Sequence, residues 1–207
     1  CSGQPIDFEF LVHPAPTVNA VQDITVCEDF YTPQLTFGGQ FSGTQFAWYN
    51  DNTAIGLGAT GQNTISPFLA TNATNVPLVG NINVVPSIQY GNLSCYGSPT
   101  EFSITVNPDP QVYVPQNQVV CNGAQVGTIN FSGPTTGATY VWTNNNPSIG
   151  LAASGTGNIA AFTAINTGNT PIVATVTVTA QQLNGTQVCA GNSVTFTITV
   201  NPLVSMQ

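Results

Sequence analysis

The sequence predicts an all-β chain made of tandem antiparallel β-sandwiches. Three observations carry that expectation: the chain repeats itself at a fixed period, apolar residues alternate with polar ones, and Gly, Asn and Pro clusters cut the alternating stretches short. A shift of 94 residues lays the chain on itself without a gap, so that Cys1, Cys95 and Cys189 coincide, Cys27 meets Cys121, and Trp48 meets Trp142. Ile55-Gly56-Leu57 returns as Ile149-Gly150-Leu151, and Val106-Asn107-Pro108 as Val200-Asn201-Pro202. Self-similarity at one period marks copies of a building block joined in line.

The period sets the domain organisation. Residues 17–109 and 110–203 form two full repeats, each long enough to bury a core of its own. Residues 1–16 read as the last strand and linker of a preceding repeat, and 204–207 as the start of a next linker. The units meet at His13-Pro14-Ala15-Pro16 and Asn107-Pro108-Asp109-Pro110. Proline there ends a strand ladder and favours an extended, semi-rigid connection, which predicts a rod-like array.

Within each repeat the strands follow from period-two alternation. Phe102, Ile104 and Val106 share one face of the last strand, as do Phe196, Ile198 and Val200, and Phe8, Phe10 and Val12 in the partial copy. The strand before it presents Leu78, Ile82 and Val84 inward, matching Ile172, Val176 and Val178, with Asn81, Asn83, Thr175 and Thr177 outward. Phe46 and Trp48 match Tyr140 and Trp142. Shorter strands are expected at 34–37 and 126–131, at the two Ile-Gly-Leu pieces, and at 65–70 and 159–164. Turn residues separate them, and no stretch has a helical period. About seven short strands in a unit of this length describe a sandwich of immunoglobulin type. Because each full repeat owns its last strand, neither offers the empty slot that donor-strand assembly needs.

Composition narrows the function. The 207 residues contain no Lys or Arg, eight Asp and Glu, and one His, for a net charge of −8. Without cations the chain lacks strong donors for phosphate, which argues against nucleic acid and anionic membrane surfaces as partners. Only 4% of residues are charged against 42% apolar, a balance that reads as folded rather than disordered. No apolar run approaches the ~20 residues of a membrane helix, so no membrane insertion is expected.

Five cysteines divide as two per full repeat plus Cys1 in the partial copy. Two pairings respect the period: Cys27 with Cys95 and Cys121 with Cys189 inside repeats, or Cys1 with Cys27 and Cys95 with Cys121 across the linker. The second must bring together residues an extended linker can hold far apart, whereas bridged Cα atoms sit about 5.5 Å apart. The within-repeat bridge is therefore favoured; it implies an oxidising compartment and about 4 kcal/mol of stabilisation through the unfolded state. Against it stands strand direction, because the first and last strands of such a sandwich run the same way and a bulge or short first strand must bring Cys27 to Cys95. Free buried thiols are the third reading.

Catalysis finds no support. His13 aligns with Asn107 and Asn201, so it marks a linker position, and neither full repeat holds a histidine for a Ser-His-Asp set. Glu28 and Asp29 align with Asn122 and Gly123. Asp51, between Asn50 and Asn52, supplies oxygen ligands suited to calcium, but its counterpart Asn145 lies in an all-Asn turn, which favours a turn over a metal site. No cofactor and no metal are expected. Trp48, Trp142, Phe102 and Phe196 are expected in the core, because their in-phase neighbours are apolar. Tyr49, on the other face of the Trp48 strand, and Phe41 are the candidate surface contacts. Four N-glycosylation triplets, at Asn72, Asn92, Asn130 and Asn184, do not recur at the period and read as chance in a Thr- and Asn-rich chain. Lys-Asn isopeptide locking is excluded without lysine.

Several segments together carry a family resemblance: 119–123 (VVCNG), 131–133 (FSG), 140–146 (YVWTNNN), 149–157 (IGLAASGTG) and 196–202 (FTITVNP). They resemble the PKD-like, immunoglobulin-like tandem repeats of very large Bacteroidota surface proteins, including adhesins of the gliding-motility kind. The resemblance covers essentially the whole chain, departing at 27–31 (CEDFY) and at Trp48-Tyr49. It implies structural spacer repeats of an extracellular, cell-surface adhesin filament or stalk, with neighbouring repeats of the same chain as partners and surface polysaccharide or other filament subunits beyond them. A carbohydrate- or protein-binding module of a surface or secreted protein is the alternative.

Overall fold

The computed structural model describes residue 4, residues 6–185 and residues 187–203. Cys1 and the stretch 204–207, assigned above to neighbouring repeats, lie outside the described residues. In the first repeat the strands are β1 (Ile24–Cys27), β2 (Leu35–Thr36), β3 (Gln45–Asn50), β4 (Thr60–Gln62), β5 (Thr64–Ile65), β6 (Leu78–Tyr90), β7 (Leu93–Tyr96) and β8 (Thr100–Asn107). The second has β9 (Gln118–Cys121), β10 (Gln125–Val126), β11 (Thr139–Asn144), β12 (Ser154–Thr156), β13 (Phe162–Thr163), β14 (Ile172–Asn184), β15 (Gln187–Ala190) and β16 (Val194–Asn201).

Each repeat folds into a large sheet and a small one. The large sheet runs β1-β8-β6-β3-β4 in the first repeat and β9-β16-β14-β11-β12 in the second, with β7 and β15 pairing the ends of β6 and β14. The small sheets are β2-β5 and β10-β13. In the second repeat the neighbours of the large sheet are antiparallel except β9, which runs parallel to β16 with Val120 opposite Val200 and Cys121 opposite Asn201. A first strand lying parallel to the last, on a sheet otherwise antiparallel, is the immunoglobulin-like arrangement. The chain is thus an all-β tandem of immunoglobulin-like sandwiches.

The predicted faces hold in detail. Along β14, Ala174, Val176, Val178 and Ala180 are buried while their alternates are only half-buried, as the period-two pattern requires. Phe131 packs on Tyr140 and Phe196, with ring centroids 5.8 and 6.4 Å away. In the first repeat Phe37 meets Phe46 and Phe102 in the same way, at 6.1 and 6.3 Å. Trp48 and Trp142 lie flat against the backbone of the adjacent short strand; a Cβ on Gly61 or on Gly155 would collide with the indole.

Grouped by contact, the chain forms two compact units whose limits differ from the repeat boundaries. One comprises Cys1–Ile24, Tyr31–Leu69 and Val79–Thr105; the other comprises Thr25–Phe30, Ala70–Leu78 and Val106–Gln207.

Several local expectations are corrected, among them the shorter strands at 126–131, 65–70 and 159–164, which reduce to the two-residue strands Gln125–Val126, Thr64–Ile65 and Phe162–Thr163. The Ile-Gly-Leu pieces are not strands: Thr53–Ile55 and Pro147–Ile149 are single 3-10 turns, each closed by a left-handed glycine, Gly56 at φ 94° and Gly150 at φ 91°. Ile55 and Ile149 are buried by the turn, so a hydrophobic residue beside a glycine here reports a cap rather than a strand. The alternating segment at residues 6–12 is also not a strand. Phe8, Phe10 and Val12 are 75–86% exposed, and no strand among the described residues pairs with them. Its counterpart β16 is held between β14 and β9, and alternation makes a strand only where such neighbours accept its backbone hydrogen bonds.

Candidate functional site

Strand β1 breaks its own alternation, with Val26 and Cys27 both buried in succession. The chain turns sharply just beyond. Asp29 takes a left-handed φ of 61°, where the second repeat uses Gly123 at φ 81°; Asp is among the few non-glycine residues that tolerate this region. The turn is locked by backbone hydrogen bonds from Glu28 N–H to Asn107 O at 2.8 Å, from Asp29 N–H to Ala70 O at 2.9 Å, and from Ala70 N–H to Phe30 O at 2.9 Å. Cys27 is thereby held at the end of its strand, and its sulfur is bonded to that of Cys189 in β15, with Cα atoms 5.5 Å apart. Both cysteines are fully buried, and both belong to the second compact unit.

This bridge joins the first repeat to the second across 162 residues of sequence. It corrects the expected pairings: Cys27 does not bond Cys95, Cys121 does not bond Cys189, and Cys95 and Cys121 are both free thiols. The parallel strand pair supplies the reason. Cys121 sits opposite Asn201, at the far end of the eight-residue β16, whereas Cys189 precedes the near end of that strand. The strand alone spans roughly 25 Å, several times the reach of a disulfide. No bulge closes that gap.

Acidic groups collect beside the bridge. The Asp109 N–H donates to Glu28 Oε2 at 3.2 Å. Partial burial, then the charges of Glu28 and Asp29, push the Asp109 carboxyl above its ordinary value. Among the described residues no group of three or more His, Cys, Asp or Glu is arranged to hold a metal ion.

The other candidates take definite places. Trp48, Trp142, Phe102 and Phe196 are buried, and the Trp48 indole N–H donates to Thr64 O at 3.0 Å. Tyr49 is 52% exposed and lines, with Ala47, Thr60 and Gln62, a shallow hollow of about 260 Å³ on the β3–β4 face; Phe41 is half-buried. His13 stacks on Tyr90 with centroids 3.8 Å apart. Both Asp51 oxygens accept from Asn81, from its N–H at 2.7 Å and from Nδ2 at 2.8 Å, and these bonds hold the carboxyl below its usual value. Asn145 accepts from Thr175 N–H at 2.7 Å in the second repeat. The position is a turn lock in both copies.

Sequence reasoning missed two buried asparagines per repeat. Asn50 donates to Leu57 O at 3.0 Å and Asn144 to Leu151 O at 3.1 Å, pinning the two 3-10 turns. Asn72 donates to Val76 O and Val106 O, both at 2.8 Å; Asn166 donates to Thr170 O at 2.9 Å and Val200 O at 2.7 Å. Asn72 is 1% exposed, so its glycosylation triplet is closed to modification in the folded protein. The signal available in the sequence was recurrence at the period, which Asn50 and Asn72 satisfy and the glycosylation triplets do not.

No family model matches the chain, and no curated protein matches it. Among solved structures it is similar to human protocadherin-24 EC1-2, form II, at 12% identity and a TM-score of 0.46, covering 94% of this chain and 100% of that one. It is also similar to human mucin-like protocadherin EC1-2, at 12% identity and a TM-score of 0.41, covering 91% and 98%. Sidekick-1 immunoglobulin domains 1–4 match at 14% identity and a TM-score of 0.43, covering 92% of this chain and 49% of that one.

Proposed function

We propose that this chain is a stretch of structural spacer repeats in an extracellular cell-surface adhesin filament or stalk, disulfide-stapled and load-bearing, of the kind the Bacteroidota gliding adhesins carry. The observation that supports this most is the Cys27–Cys189 bridge, which ties one repeat covalently to the next rather than stapling a repeat to itself. A buried cystine of this kind suits an oxidising compartment outside the cytoplasm. Tension entering before Cys27 leaves through Cys189, so the 162-residue span between them is taken off the load path. The reading assigns the chain no catalytic step and no cofactor, and its partners are neighbouring repeats. Antibodies raised to the chain should label intact cells of the source organism, and in-frame loss of a pair of repeats should shorten the surface filament. Labelling that needs permeabilised cells refutes the proposal.

A second reading rests on Tyr49 and its hollow: a carbohydrate- or protein-binding face on the first repeat. Saturable binding on a glycan array, lost in Tyr49→Ala, would establish it in place of the pure spacer.

A further inference from the structure

The two free thiols occupy the same places in their repeats as the two bonded ones. Cys121 is the 94-residue counterpart of Cys27, and Cys95 that of Cys189. The backbone around each pair matches. After Cys121, Asn122 N–H donates to Asn201 O at 2.8 Å and Gly123 N–H to Ala164 O at 2.8 Å, repeating the bonds that Glu28 and Asp29 make after Cys27. Cys95 sits opposite Ile88 in its hairpin and Cys189 opposite Gln182, which are again counterparts. Gly97 N–H donates to Pro86 O and Gly191 N–H to Ala180 O, both at 3.0 Å. The difference is cover: Cys27 and Cys189 are fully buried, whereas Cys121 is exposed and Cys95 half-buried.

We propose that Cys121 and Cys95 are half-cystines awaiting further copies of this repeat. Cys121 bonds the residue equivalent to Cys189 in one copy, and Cys95 bonds the residue equivalent to Cys27 in another. Two arguments beyond the thiols support this partner: the chain contains one completed example of the junction, and the thiol positions carry the same local backbone as that example. Each closure forms one S–S bond and releases two protons and two electrons. An external disulfide, such as oxidised glutathione or an oxidoreductase, accepts them and leaves as two thiols.

Bridges spanning 162 residues but recurring every 94 overlap, so every part of an array lies inside at least one. The shortest covalent route then jumps through alternate bridges and runs along peptide only over the 26-residue step that separates Cys95 from Cys121 and recurs after Cys189. Two periods of open chain extend to about 640 Å, and the bridged route to about 90 Å, roughly a sevenfold loss of extensibility. Unfolding a repeat in such an array would yield little added length.

This inference stands independently of the adhesin reading, which the labelling and binding experiments address separately. Its test is the full chain carrying one further copy of residues 110–203 after Leu203, made in an oxidising compartment and mapped by mass spectrometry without reduction. The expected map joins Cys121 to the appended copy's equivalent of Cys189, retains Cys27–Cys189, and shows Cys121 closed to alkylation. In Cys121→Ser the appended partner should become alkylatable while Cys27–Cys189 persists, which certifies that the rest has folded. Linkage of Cys121 to Cys95 between two unextended chains supports the same junction made by a separate molecule. Cys121 that stays alkylatable in the folded, extended chain overturns the proposal, as does Cys121 bonded to Cys95 within one chain or to its own counterpart in another copy.

Discussion

Pulling the oxidised chain from its two ends should expose a single hidden length that only reduction releases. The Cys27–Cys189 bridge encloses 162 residues, and at about 3.4 Å per residue these amount to roughly 550 Å of contour length. Under constant force, the folded units of the oxidised protein should unfold with little extension. Adding a small thiol should then give one step of about 550 Å, and Cys27→Ala should show that length without thiol. Bridges inside each repeat would instead give two steps of about 230 Å, because 68 residues separate Cys27 from Cys95. Two reductive steps, or full extension of the oxidised chain, would refute the load-path argument. The same bridge should stabilise the fold through the unfolded state by about 5 kcal/mol in the chain-entropy model for a loop of this size.

Three further outcomes follow from particular contacts. Gly61→Ala sets a methyl against the Trp48 indole and should cost about 2 kcal/mol in urea unfolding, with blue-shifted Trp48 fluorescence partly lost; wild-type stability would mean that the indole is free to move. Asn166→Ala removes the donor that satisfies Val200 O and Thr170 O, and should cost about 2–3 kcal/mol; a loss below about 0.5 kcal/mol would show that water replaces the amide. Asp109 has its folded pKa raised above 3.8, so its contribution favours the folded state fully below that value and is lost as pH rises through the raised pKa. Asp109→Asn should therefore raise the neutral-pH melting temperature and flatten the stability profile across the carboxylate range; an unchanged profile would mean that neither its burial nor the charges of Glu28 and Asp29 load this group.

How much was legible in the sequence can be judged from individual residues. The core faces were: Val176, Val178, Phe196 and Ile198 declare themselves by alternation, because a half-buried strand sorts its side chains with period two. Tyr49 was also placed outward by that parity alone. The segment at residues 6–12 has the same pattern and yet forms no strand, since alternation encodes a face but not the presence of a neighbour. The Ile-Gly-Leu turns were misread because a buried isoleucine beside glycine is compatible with a strand or with a glycine-capped turn, and the deciding hydrogen bonds come from Asn50 and Asn144.

The sequence by itself determined the repeat, its 94-residue period, the all-β class, the inward tryptophans and the fact that cysteines come in two kinds per repeat. Only the tertiary structure decided which cysteine meets which. Composition and spacing are blind to strand direction, and direction is what separates the ends of a sandwich: with β9 parallel to β16, the two cysteines of one repeat stand at opposite ends, and the bond forms instead between Cys27 of one repeat and Cys189 of the next.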